Sequence, residues 1–128
     1  MKENNKSQTV TVHILLAHGS KDSRWRKSFE DLLEKSRKSS PKKICLCYLE
    51  ICRPSLSEAV KDLADSNFKI STINIHSIFL SAGVHFNEDI KAMVSDLQAT
   101  YPNLKFKIND VVSNNSIVSN AILKVVTS

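Results

Sequence analysis

Three side chains capable of metal and proton chemistry stand where apolar runs break off: His18 just before Gly19, Glu50 at the end of a second run, and His85 just past a third. Neutral imidazole is a good ligand for Fe, Co, Ni and Zn, and with a reference pKa of about 6.5 it also takes up a proton near neutrality. Two imidazoles and a carboxylate brought together can hold a metal ion and accept protons at one place. Taken singly, each has a plainer explanation: a His before Gly can be a turn residue, and Glu50 a solvated loop carboxylate. Their convergence is what gives them meaning, and it depends on the elements that carry them.

From Val10 to Ala17 the residues are mostly β-branched or apolar, and the run stops at His18-Gly19-Ser20, which reads as a first strand. Trp25, Phe29, Leu32 and Leu33 then recur at helical intervals among charges, up to a breaker at Ser39-Ser40-Pro41. Ile44 to Leu49 reads as a buried second strand ending at Glu50. Ser55 stands three residues before Glu58, the capping-box spacing, and Leu56, Ala59, Val60 and Leu63 continue as a helix. Ile70 to Leu80 forms the third strand and its exit, halted at Ser81-Ala82-Gly83. Phe86, Ile90, Met93 and Leu97 repeat helically, with Glu88 and Asp89 expected in the first turn, where the helix dipole favours acids. Leu104 to Ile108 is a fourth strand, and Ile117 to Val125 a last helix.

Alternation of β and α along the whole chain predicts an α/β fold: a four-stranded parallel sheet with right-handed crossovers and helices on both faces. Ligands bind such sheets at the carboxyl ends of the strands, the edge to which the pattern delivers His18, Glu50 and His85. The expected organisation is a polar tail over residues 1–8 and one domain over 9–128. A chain of 128 residues buries roughly two-thirds of its unfolded surface, so it needs neither disulfides nor a structural metal to fold.

Several function classes drop out. Gly19 and Gly83 are the only glycines, too few for a Walker A loop or a dinucleotide-binding fingerprint. Cys45, Cys47 and Cys52 are odd in number and lack paired CxxC spacing, so they read as reduced, buried packing residues rather than a zinc site. The net charge of +5 is spread along the chain, and nucleic acid is not expected as a partner. Met1 to Gln8 has no signal-peptide apolar core and no run is long enough to span a membrane, so a soluble, cytoplasmic protein is expected.

The run Leu15-Leu16-Ala17-His18-Gly19-Ser20-Lys21-Asp22-Ser23-Arg24-Trp25, the Tyr48-Leu49-Glu50 and Pro54-Ser55-Leu56 elements, and Ile78-Phe79-Leu80-Ser81-Ala82-Gly83-Val84-His85 with Asp89-Ile90 resemble the single-domain sirohydrochlorin chelatases of the CbiX and SirB type. The resemblance covers nearly the whole chain. It implies a flavodoxin-like chelatase fold and a type II chelatase, a lyase, that inserts a divalent metal (cobalt, iron or nickel) into sirohydrochlorin without ATP, for siroheme or cobalamin-type products. It also implies a homodimer. On the family pattern His18 is the proton acceptor and a metal ligand, His85 the second metal ligand, and Glu50 a carboxylate that helps bind the metal or takes up pyrrole protons. Phe79, Leu80, Ser81, Ala82, Gly83 and Val84 would line the macrocycle. Two positions depart from the pattern: Ser77 and Lys91 stand where the family usually has proline.

His13 and His76 fall in strand patterns and are read as structural, with His76 kept as an auxiliary ligand. Two other readings compete with the chelatase. A metal or tetrapyrrole carrier can use the same fold without turnover. A histidine phosphatase also places His-Gly after its first strand, but has Arg before the His to hold phosphate, where this chain has Ala17.

Overall fold

The structure, a computed structural model, describes residues 9–81 and 83–128, with the backbone alone for Val84 and His85. The polar tail over residues 1–8 and Ala82 lie outside the described residues. The elements run β1 (Val10–Ala17), α1 (Ser23–Ser39), β2 (Lys43–Tyr48), α2 (Leu56–Ala64), β3 (Ile70–Ser77), α3 (Val84–Thr100), β4 (Lys105–Ile108), a 3-10 turn (Val112–Asn114) and α4 (Ser116–Thr127). The sheet order is β2-β1-β3-β4 and every pairing is parallel, as the alternating pattern requires.

Period-two alternation assigns the strand faces. Val12, Ile14 and Leu16 of β1, with Cys47, Ile73 and Ile75, pack against Leu56, Val60 and Leu63 of α2 and Ile90, Val94 and Leu97 of α3. Ala17, Leu46 and Tyr48 point the other way, onto Trp25, Phe29 and Leu33 of α1. Helices thus lie on both faces. The expected capping box is present: the Ser55 hydroxyl accepts from the Glu58 N–H at 3.1 Å, and the Glu58 carboxylate accepts from the Ser55 N–H at 2.9 Å. The Arg53 guanidinium bonded to Glu58 also holds that carboxyl well below its usual range, at about 2.

One helix start differs from the sequence expectation. Helix α3 begins at Val84 with Gly83 as its N-cap, and its first turn holds no acid, so Glu88 and Asp89 fall in the second turn. Tertiary packing moves the start: Phe86 meets Phe79 edge-to-face, ring centroids 4.5 Å apart, which draws the residues before Glu88 into the helix. Helix α4 differs in another way. None of its residues is buried, and Ile117, Val125 and Val126 are each more than 70% exposed, so its apolar stripe lies open.

Candidate metal centre

The loops after β1 and β2 are built against each other. The Leu49 N–H donates to the Ala17 carbonyl at 2.8 Å and the Glu50 N–H to the His18 carbonyl at 3.0 Å. These bonds continue the parallel ladder past the strand ends and bring His18 and Glu50 side by side. Gly19 makes this approach possible. Its φ of +113° is one that side chains rarely tolerate, and a Cβ there would sit 1.8 Å from the Glu50 carbonyl oxygen. The Cys52 thiol braces the same loops, donating to the Ser20 carbonyl at 3.0 Å.

Nδ1 of His18 lies 3.9 Å from a carboxylate oxygen of Glu50. Both side chains are more than half exposed, so water screens their attraction and each remains open to a ligand. On its other side the His18 ring rests against two phenylalanines, with centroids 5.2 Å from Phe79 and 5.4 Å from Phe86. A polar imidazole–carboxylate pair therefore stands on an apolar aromatic shelf.

Of the sequence candidates, His18, Glu50 and Phe79 are brought together. Leu80 is 74% exposed at the exit from β3, Ser81 is exposed beside it, and Gly83 has open space around it. His85 takes its place in the first turn of α3, immediately before Phe86, whose ring touches that of His18. The side chains of His85 and Val84 lie outside the described residues, as does Ala82. Among the described residues, no three His, Cys, Asp or Glu side chains form a cluster able to hold a metal.

Two features went unread in the sequence. Phe86 belongs to the aromatic shelf as well as to the helix stripe that identified it. His76 pairs with His13: Nδ1 of His13 and Nε2 of His76 are 3.1 Å apart, with the rings stacked at 5.3 Å. Both lie on the sheet face of Leu15, because His13 is in register with Asn74 and Leu15 with His76. Alternation reveals the shared face, but their diagonal contact depends on register. Burial first, then the charge of Lys42, lowers the His13 pKa; burial, then His13, Lys107 and Lys42, lowers that of His76. The cysteines are free, and burial with the neighbouring Cys45 pushes the Cys47 thiol up to about 12, which makes it inert packing.

The CbiX family model matches residues 12–128. Eighteen chains of known structure match in fold. A cobalamin (vitamin B12) biosynthesis CbiX protein from Marinobacter aquaeolei VT8 is 31% identical, with a TM-score of 0.80 over 91% of this chain and 94% of its own. SirB from Bacillus subtilis with Fe3+ is 14% identical, with a TM-score of 0.76 over 91% of this chain and 46% of that one. The sirohydrochlorin chelatase SirB from Bacillus subtilis subspecies spizizenii, in complex with cobalt, is 14% identical, with a TM-score of 0.78 over 93% and 50%. The chain thus spans about half the length of the SirB proteins, and at that identity the likeness is one of fold. No curated protein matches the chain in sequence.

Proposed function

The chain belongs to the CbiX family, and from that premise we propose that it is an ATP-independent chelatase, a lyase in reaction class, inserting a divalent metal into sirohydrochlorin. The observation that carries this is the His18–Glu50 pair at 3.9 Å, set on the Phe79–Phe86 shelf at the carboxyl edge of the sheet. Cobalt and iron are the metals favoured, since the SirB structures named above were obtained with cobalt and with Fe3+. The product would serve siroheme or cobalamin-type synthesis.

Insertion exchanges one divalent ion for two pyrrole protons, so the site must present a metal and take up protons on the same face of the ring. Neutral His18 offers one lone pair for either task, and Glu50 beside it relays a proton to water or helps hold the incoming ion. His85, at the head of α3, supplies the second imidazole. The ring lies across Phe79, Leu80, Ser81, Ala82, Gly83 and Val84, whose small members leave room for a flat ligand. A protein of net charge +5 suits a substrate with many carboxylates.

The working form is a homodimer. The edge is shallow, a tetrapyrrole needs walls on two sides, and the open apolar stripe of α4 is a surface that a second copy can cover. No helix among the described residues is long and apolar enough to cross a membrane, and the cytoplasm is the proposed location.

Anaerobic incubation with sirohydrochlorin and Co2+, Fe2+ or Ni2+, followed by absorbance, tests the activity. A chelatase yields metallated product in many-fold excess over protein. Product that stops at one equivalent identifies a carrier and overturns the proposal.

A further inference from the structure

At the carboxyl ends of β3 and β4 lies a cavity of about 270 Å³, between α3 and the chain leaving β4. Its walls include Ser77, Asn87, Lys91, Asn109 and Asp110. It is small for a macrocycle, since pockets for whole drug-sized ligands run from about 300 to 1,000 Å³. It suits one arm of such a ring. Asn87 directly follows Phe86, and Lys91 stands one turn further along, about 7.5 Å of helix rise from Phe86. Ser77 ends β3 two residues before Phe79, so the cavity and the shelf share the carboxyl edge of the sheet.

Its donors favour an anion. Asn87 and Lys91, four residues apart, share one face of α3. Among the described residues Lys91 makes no ion pair, although Asp110 lines the same cavity. Asp110 is turned to its own loop: one carboxylate oxygen accepts from the Val111 N–H at 2.8 Å and from the Asn114 amide at 3.1 Å. The opposite wall is rigid, because the Asn109 amide donates to the Asn74 side chain at 3.0 Å and to the Ile75 carbonyl at 3.2 Å. Lys91 and Ser77 bring α3 and the end of β3 to the same cavity.

We propose that this cavity is a carboxylate subsite, in which Lys91, assisted by Asn87, binds one acid arm of the tetrapyrrole and so sets substrate preference. The proposal rests on the chelatase reading above for the identity of the ring. Its test is the KM of Lys91→Ala for sirohydrochlorin, with Lys91→Arg as the charge-conserving control. A lost charge-assisted hydrogen bond predicts a KM roughly 10-fold higher for Lys91→Ala, with kcat unchanged and KM near wild type for Lys91→Arg. Fluorescence titration of metal-free sirohydrochlorin makes the same comparison without turnover, so the subsite is judged even if insertion fails. An unchanged KM and affinity in Lys91→Ala would overturn it, as would equal losses in Lys91→Ala and Lys91→Arg.

Discussion

Replacing Gly19 by Ala probes the point on which the site's assembly turns. The added Cβ would lie 1.8 Å from the Glu50 carbonyl oxygen, so the β1 and β2 loops must part by more than 1 Å to restore a contact that real side chains show. The backbone there has a φ of +113°, and holding Ala in so unfavourable a conformation costs about 1–3 kcal/mol. Parting the loops also weakens the bond from the Glu50 N–H to the His18 carbonyl, worth about 1 kcal/mol. Together these predict a loss of roughly 2–4 kcal/mol, or a fall in melting temperature of roughly 8–16 °C for a domain of this size. Because the same movement separates His18 from Glu50, metal insertion measured well below the new melting point should fall about 100-fold, the usual consequence of a 1 Å misplacement. Gly83→Ala is the control. Nothing lies within 4 Å of its would-be Cβ and its φ is −74°, so the stability lost is that of weaker capping of α3, at under about 1 kcal/mol. Thermal unfolding followed by circular dichroism decides between them. If Gly19→Ala melts at the wild-type temperature and inserts metal at the wild-type rate, the close approach of the two loops is not what builds the site.

His18→Ala and His85→Ala should each lower insertion by about 100- to 10,000-fold with circular dichroism unchanged; near-normal rates for His85→Ala with every metal would refute the two-imidazole site. The His13–His76 pair makes stability depend on pH. Both folded pKa values lie below the reference of 6.5, so the unfolded chain binds more protons in that window and stability is lost as pH falls from about 6.5 through the folded values. Urea midpoints at pH 5 and 7.5 should therefore differ more for wild type than for a His13→Gln, His76→Gln double variant, and equal differences would remove the pair as the cause. Ile122→Asp with Val125→Asp places charge on the open stripe of α4 and should halve the mass measured by light scattering, whereas an unchanged dimer would place the interface elsewhere.

The pH response predicted above and the proposed metal chemistry fall to different imidazoles. His18 is exposed and stands free on its shelf, while His13 and His76 are half-buried and partnered on the sheet face. A group proposed to meet a ligand gains from remaining exposed. Two that are held in a neutral, shared hydrogen bond near Lys42 and Lys107 resist protonation instead.

Local pattern alone was enough to place β1 up to Ala17, to cap α2 through Ser55 and Glu58, and to bring His18 and Glu50 to one edge of a parallel sheet. The first two follow from periodicity or capping chemistry within a single segment, and the third from the order of strands and helices along the chain, all of which a sequence carries in full. The tertiary structure decided what depends on residues far apart in the chain. Glu50 comes within reach of Gly19 only because two strand-end loops share a ladder, and His13 meets His76 across 63 positions only because β1 and β3 pair in one register. Packing of Phe86 on Phe79 moved the start of α3 and left Glu88 and Asp89 in its second turn. The cavity joining Ser77 and Lys91 to Asn109 exists only where three elements meet. Register and the meeting of distant loops are set by the packing of the whole sheet, and no one segment contains the contacts that select them.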